Sequence, residues 1–126
     1  MGGLQRILMV DDDPDIRTVA ELSLKVVGGF TVEMCASGPE ALEKAGAFAP
    51  DLLLLDVMMP GMDGPATLTR LRERPALAQT AAVFMTAKVQ PDEIAQLRAC
   101  GAIDVLAKPF DPMTLPDALR RIWAAR

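Results

Sequence analysis

The chain has 126 residues, of which 51% are hydrophobic and 24% charged, a balance typical of one soluble globular domain. No apolar run approaches the roughly 20 residues that cross a bilayer, and the start of the sequence lacks the apolar core and cleavage site of a secretory signal. We therefore expect a cytoplasmic protein with no membrane association. The net charge of −4 argues against direct nucleic-acid binding, and the lack of histidine excludes a self-supplied phosphohistidine.

The first apolar segment, residues 6–10, predicts a buried strand that runs directly into three consecutive aspartates. A helix is predicted over residues 14–27, because Pro14 suits a first helical turn and Asp13 is a good N-cap before it. Gly28 is expected to end this helix. Capping accounts for the third aspartate, but it leaves the two aspartates before it without a structural role.

The next two strands are expected to lie at different depths in the sheet. Residues 30–35 alternate between apolar and polar side chains and predict a strand near the edge. Ser37 begins a capping box with Glu40, which predicts a helix over about residues 39–47. Residues 52–56 start with four consecutive leucines, as is typical of a strand covered on both faces.

The second half of the chain repeats the alternation of strand and helix. Helices are predicted over residues 65–73, 91–100 and from about 111 or 114 to 125, and strands over 81–87 and 104–109. Alternation repeated five times predicts an α/β fold with a five-stranded parallel sheet, doubly wound with five helices on its two faces. We expect residues 1–126 to form a single domain, with ligands bound beyond the carboxyl ends of the strands.

Polar side chains stand at or directly after the carboxyl ends of four predicted strands: Asp11, Asp12, Asp56, Thr86 and Lys108. Three carboxylates this close should not all ionise unaided, because one pKa would be raised strongly. Mg²⁺ resolves the repulsion, and the paired Asp11 and Asp12 are the better placed to hold it. Asp56 stands alone at its strand end and is the candidate nucleophile for an aspartyl phosphate, with Lys108 and Thr86 binding the other phosphoryl oxygens.

Each of these residues also has a structural explanation when it is taken alone. A single aspartate after a strand is more often a cap or a turn residue than a ligand. Thr86 is equally explained as a β-branched strand residue, and Lys108 as a solvent-exposed charge. This explanation weakens when the residues are taken together, because acid, hydroxyl and lysine would all have to reach one sheet edge by chance.

Four stretches of the sequence resemble the receiver domain of two-component response regulators, and the resemblance extends over essentially the whole chain. They are ILMVDDDPDIR, PDLLLLDVMMPGMDG, VFMTA and GAIDVLAKPF, in the family's order and spacing. The stretch LLLLDVMMPGMDG is long and specific, whereas the acidic pair alone would be a weak signal. The resemblance implies a flavodoxin-like fold with the strand order 2-1-3-4-5.

The resemblance also implies a role for each site residue. Asp56 would accept a phosphoryl group from the phosphohistidine of a partner, either a sensor histidine kinase or a histidine phosphotransfer protein, and the phosphorylated state would alter the binding of a downstream protein target. Mg²⁺ would be held by three carboxylates and one backbone carbonyl, those of Asp11, Asp12, Asp56 and Met58. Thr86 and Lys108 would contact the phosphoryl group, and the Lys108–Pro109 bond would be cis.

The predicted switch consists of Thr86, Ala87 and Val105. Family members usually carry Tyr or Phe three residues before the lysine, where this chain has Val105. In the family, that ring turns inward when the threonine moves toward the phosphoryl group. With a smaller side chain at this position, we expect the output to run through Thr86, the loop after it and the helix at 91–100.

Three functions are compatible with the sequence. The first is a phosphorylation-controlled signalling switch that catalyses only its own phosphotransfer and dephosphorylation and is not otherwise an enzyme. The second is a Mg²⁺-dependent phosphohydrolase that forms an aspartyl phosphate, although its nucleophile would be expected after the first strand. The third is a degenerate receiver acting as a constitutive interaction domain. Because the sequence ends with the last predicted helix, we expect no output domain in it, and either a stand-alone regulator or a receiver from a larger regulator or hybrid kinase.

Overall fold

In the described part of the chain, five parallel strands form one sheet in the order β2-β1-β3-β4-β5. They are β1 (Arg6–Val10), β2 (Thr31–Cys35), β3 (Leu52–Asp56), β4 (Ala81–Thr86) and β5 (Asp104–Ala107). The structure, a computed structural model, describes residues 3–126, so the first two residues of the predicted domain lie outside the described part. The strand order confirms the predicted flavodoxin-like sheet, in which the alternating segment β2 is an edge strand.

Among residues 3–126, five α-helices connect and follow the strands: α1 (Pro14–Leu22), α2 (Gly38–Phe48), α3 (Gly64–Arg72), α4 (Pro91–Ala99) and α5 (Leu115–Ala125). The helical path of α1 continues through a π-helical segment at Ser23–Val27. The predicted segment 14–27 is therefore helical throughout, but its last part is wider than an α-helix. A short 3₁₀ turn at Pro75–Leu77 has no counterpart in the prediction.

Three strands are shorter than predicted, and the first of them, β2, begins one residue later than expected, at Thr31. Ala87 lies beyond β4, and Lys108 and Pro109 lie beyond β5. Pro109 has no backbone N–H and cannot extend the ladder, and the Lys108–Pro109 bond is cis, as the family resemblance implied. Ala87 and Lys108 therefore belong to the loops at the carboxyl edge of the sheet.

The two faces of the sheet are covered by different helices. α2, α3 and α4 cover one face, and α1 and α5 cover the other. The leucine run of β3 serves both faces, since Leu53 and Leu55 belong to the first core and Leu52 and Leu54 to the second, and all four are fully buried. Burial on both faces explains why this strand shows no polar alternation. Within residues 3–126, the helices are too short or too polar to cross a bilayer.

The register of the sheet aligns the strand ends that carry the candidate residues. Val10 pairs with Leu55, Asp56 with Met85, and Thr86 with Ala107. The residues that end or follow β1, β3, β4 and β5 therefore emerge at one edge of the sheet. In this way the topology brings together side chains that lie up to 97 positions apart in the sequence.

Candidate functional site

The turn between β1 and α1 presents its three consecutive aspartates in different ways. Asp11 is fully buried, whereas Asp12 and Asp13 are exposed. Asp13 caps α1, because its Oδ1 accepts hydrogen bonds from the N–H of Asp15 at 2.9 Å and of Ile16 at 3.4 Å. The N–H of Asp13 in turn donates to Asp11 Oδ1 at 2.9 Å. The third aspartate is thus a cap, and the first two remain for the site.

Lys108 bridges two buried carboxylates at the centre of the site. Its Nζ lies 3.0 Å from Asp11 Oδ2 and 3.3 Å from Asp56 Oδ1. Asp11, Asp12 and Asp56 each offer a carboxylate oxygen, and these oxygens all lie within 4.8 Å of one another. The structure therefore brings together four of the residues singled out in the sequence, three acids and one ammonium group.

The charges at this site influence one another strongly. Burial raises the pKa of the Asp56 carboxyl, the negative charge of Asp11 raises it further, and Lys108 offsets only part of the rise. Burial would lower the pKa of Lys108, but its contacts with Asp11 and Asp56 outweigh this effect and raise it. The site therefore keeps a proton on the lysine and disfavours full ionisation of its acids.

These groups open into a pocket of about 250 Å³ at the carboxyl edge of the sheet. Thr86, which is buried, and Ala87, which is exposed, both line the pocket, as does Met58. The Thr86 hydroxyl accepts a hydrogen bond from the N–H of Lys88 at 3.1 Å, and its own proton stays available to an acceptor. Val105 lies apart from the pocket, half-buried against the core under α2, α3 and α4.

The loop after β3 is shaped by the close approach of Gly64 to the strand end. A Cβ atom at Gly64 would lie 2.4 Å from the backbone oxygen of Asp56, closer than the two atoms can come. The Gly64 N–H donates to the carbonyl of Val57 at 2.9 Å, and Asp63 caps α3 by accepting from the N–H of Ala66 at 2.8 Å. Glycine is therefore needed for α3 to begin directly against the end of β3 that carries Asp56.

The donor set at the pocket fits a hard divalent cation. Mg²⁺ takes carboxylate oxygens together with waters, and the three acids supply oxygens close enough to share one ion. Asp12 is exposed, so water has access to the remaining coordination positions. A dication here would also relieve the repulsion between the buried Asp11 and Asp56. Ligand type, spacing and charge therefore all suit Mg²⁺.

Sequence reasoning overlooked one contact of the site, which is made by Arg17 of α1. Its guanidinium donates from Nη1 to the backbone carbonyl of Asp11 at 2.8 Å. The sequence offers one signal for this contact. Arg17 stands four residues after the N-cap Asp13, and a long side chain at that position points back toward the end of β1. The acceptor itself is a backbone carbonyl, and the order of side chains does not indicate which carbonyl accepts the bond.

Comparison with known proteins establishes the family to which this fold and site belong. A protein-family model described as "Response regulator receiver domain" matches residues 7–120. The chain is a response regulator receiver domain. The solved structure of the chemotaxis response regulator CheY4 of Vibrio cholerae is similar to this receiver domain, with a TM-score of 0.87 and 34% identity, covering 94% of this chain and 98% of that one.

Two curated relatives are similar over most of this receiver domain and are longer than it. Response regulator Rre1 of Synechocystis sp. is 34% identical over 94% of this chain and 51% of its own length. The DNA-binding transcriptional regulator NtrC of Escherichia coli is 39% identical over 83% of this chain and 22% of its own length. This receiver domain therefore spans about half or less of each relative. Its family places it in two-component signalling, where receiver domains interact with histidine kinases and downstream targets.

Proposed function

We propose that this receiver domain, taken as one unit over residues 1–126, is a phosphorylation-controlled switch. Asp56 accepts the phosphoryl group from a phosphohistidine of a sensor histidine kinase or a histidine phosphotransfer protein. The observation that carries the proposal is the buried Asp56 carboxylate, 3.3 Å from Lys108 Nζ and grouped within 4.8 Å with oxygens of two further carboxylates. Acids buried side by side destabilise a fold, so their grouping favours a chemical role over a structural one.

Transfer requires one carboxylate oxygen of Asp56 to attack the phosphorus of the donor. The new P–O bond forms as the P–N bond to the imidazole breaks, and the imidazole leaves with the electron pair of that bond and takes up a proton. Because the chain contains no histidine, the donor imidazole comes from the partner. Lys108 balances the charge of the incoming phosphoryl oxygens, and the Thr86 hydroxyl donates a hydrogen bond to one of them. The chemistry of the domain is limited to its own phosphotransfer and dephosphorylation.

Asp11, Asp12 and Asp56, with the backbone carbonyl of Met58, hold Mg²⁺ in this proposal. When bound, Mg²⁺ supplies positive charge that neutralises the acids and the phosphoryl oxygens. The electrostatics of the pocket support this assignment. Because burial and the charge of Asp11 raise the pKa of Asp56, a nearby cation favours the ionised form that acts as nucleophile.

The phosphorylated state alters the binding of a downstream protein target through the loop after β4. Thr86 lies in the pocket, and Ala87 begins the exposed loop that leads to α4. Leu97 is the one buried residue of α4, so this helix is loosely held. Val105 pairs with Phe84 in the sheet and packs against the core. We therefore assign the output to Thr86, Ala87 and α4 rather than to a movement of Val105.

Phosphate incorporation from acetyl phosphate in the presence of Mg²⁺ tests the proposal. Wild type should be labelled, and Asp56→Asn should not. Asp92→Asn, at an exposed position at the start of α4, is the matched control and should be labelled like wild type. Undiminished labelling of Asp56→Asn would remove Asp56 as the acceptor. Many turnovers of a small phosphate ester per chain would instead indicate a phosphohydrolase, and a folded wild type without label would indicate a degenerate receiver.

A further inference from the structure

Arg17 of α1 holds the turn that carries the two proposed metal-binding aspartates. Its Nη1 donates to the backbone carbonyl of Asp11 at 2.8 Å, while its side chain is half-buried. This carbonyl belongs to the peptide that joins Asp11 to Asp12. A hydrogen bond from a rigid, charged guanidinium fixes the orientation of that peptide plane.

The two aspartates depend on this contact to different degrees. The Asp11 side chain has two further partners, since its Oδ1 accepts from the N–H of Asp13 at 2.9 Å and its Oδ2 lies 3.0 Å from Lys108 Nζ. Asp12 is exposed, so its carboxylate is positioned mainly by the peptide before it. The loss of the Arg17 contact should therefore displace Asp12 more than Asp11.

The charge of Arg17 and its hydrogen bond act on a bound cation in opposite directions. A positive charge at the turn that carries Asp11 and Asp12 repels a divalent cation and, through Coulomb's law alone, weakens its binding. Glu40 of α2 offsets part of that charge. The pKa of Glu40 is lowered mainly by the N–H of Ala36, then by Lys44, with a smaller contribution from Arg17. Because the two effects have opposite signs, a substitution of Arg17 reveals which one dominates.

We propose that Arg17 is a positioning residue for Mg²⁺, which holds the Asp11–Asp12 peptide so that both carboxylates face one cation. This inference rests on the Mg²⁺ site of the proposed function, and it adds a residue that touches neither the ion nor the phosphoryl group. Replacing residues that orient metal ligands typically weakens metal affinity by roughly tenfold or more. The contact here is made to the backbone beside the ligands, so we expect a loss of about three- to tenfold.

Isothermal titration calorimetry of the full chain with Mg²⁺ alone tests this inference. Arg17→Gln removes the charge and the guanidinium fork, and its Kd for Mg²⁺ should rise by about three- to tenfold. Arg17→Lys keeps the charge without the planar fork and should also bind more weakly than wild type. Arg70→Gln, at an exposed arginine of α3, is the matched control and should leave the Kd unchanged. An unchanged or lower Kd for Arg17→Gln overturns the inference, because loss of charge alone favours the cation.

Amide NMR shifts in magnesium-free solution separate positioning from folding. In Arg17→Lys, the amides of Asp12 and Asp13 should shift while those of β3 stay in place, and shifts spread evenly over the sheet would contradict a local role. If Arg17→Gln does not fold, the Kd of Arg17→Lys for Mg²⁺ decides instead, and an unchanged or lower value overturns the inference.

Asp12→Asn distinguishes failure of this inference from failure of the proposed function. If wild type binds Mg²⁺, Asp12→Asn does not, and both Arg17 variants bind as tightly as wild type, only the role of Arg17 is wrong. If folded wild type binds no Mg²⁺, the proposed metal site is wrong, and the role of Arg17 is wrong with it.

Discussion

Asp56 is 5% exposed and lies beside Lys108, whose Nζ also contacts Asp11. Burial and then the charge of Asp11 raise the pKa of Asp56, and Lys108 compensates only in part. Without a metal, the ionised carboxylate is therefore less stable in the folded protein than in the solvated, unfolded chain. The residue proposed as the phosphoryl acceptor thus lowers the stability of the fold, as reactive groups often do.

Asp56→Asn should make the magnesium-free protein more stable at pH 7, by about 1 kcal/mol in the free energy of unfolding. Asparagine keeps the shape of the side chain but carries no charge for Asp11 to repel. The advantage should shrink as the pH falls. The folded state binds the Asp56 proton more tightly than the unfolded chain, so wild type gains stability as the pH falls through the raised pKa. Urea unfolding with a chelator at several pH values measures the difference.

A charge-removing substitution away from the site provides the control for this prediction. Glu43 is exposed on α2, and Glu43→Gln should change the free energy of unfolding by less than about 0.5 kcal/mol at pH 7. If Asp56→Asn were no more stable than wild type at pH 7, the ionised Asp56 carboxylate would not destabilise the folded protein. Lys108 would then compensate fully for the burial of Asp56.

At the scale of the elements, the position of Asp56 depends on how closely α3 begins to β3. Gly64→Ala should lower the free energy of unfolding by about 2 kcal/mol, because a Cβ atom 2.4 Å from the Asp56 backbone oxygen forces the loop to move. Gly46→Ala is the matched control, since Gly46 lies in α2 with nothing within 4 Å of its Cβ position. It should raise the free energy of unfolding by about 0.5–1 kcal/mol. Thermal unfolding measures both, and changes of the same sign would contradict the steric explanation.

The two ends of α4 are held differently. Beyond its carboxyl end, the backbone oxygen of Gly101 accepts a hydrogen bond from Arg72 of α3 at 3.2 Å, and the same guanidinium donates to the carbonyls of Leu77 and Thr80. The other end follows an exposed loop from Ala87, with a proline in its first turn. A displacement that starts at the pocket therefore moves the loosely held amino end of α4 first, whereas the carboxyl end, near Arg72, stays in place.

The elements were largely predictable because the strands are marked by apolar runs. β1 and β3 have the predicted bounds, and β2 is the edge strand that its alternation indicates. The grouping of Asp11, Asp56 and Lys108 follows from parallel topology alone, which places strand ends at one edge. The π-helical segment after α1 and the backbone acceptor of Arg17 could not be predicted. Ser23 donates to the carbonyl of Pro112 and Arg17 to that of Asp11, and such backbone acceptors are set by tertiary packing.

At the scale of the whole molecule, a cation at the carboxyl edge should stabilise the entire fold. In the unfolded chain the three acids are not held together, so they provide no comparable site. A ligand that binds only the folded state raises the free energy of unfolding by RT ln(1 + [L]/Kd). The stability of the whole protein therefore reports on a site formed by residues from the turn after β1 and from the end of β3.

Mg²⁺ at about 100 times its Kd should raise the free energy of unfolding of wild type by about 2.7 kcal/mol. Asp12→Asn should lose most of this gain while keeping its magnesium-free stability, because Asp12 is exposed. The gain should also shrink as the pH falls through the raised pKa of Asp56, since protons then compete with the metal for the carboxylate. Calorimetric unfolding at a series of Mg²⁺ concentrations measures this gain in the free energy of unfolding, with NaCl of equal ionic strength as control. An equal gain in wild type and Asp12→Asn would mean that the ion acts by screening the net negative charge rather than at the pocket.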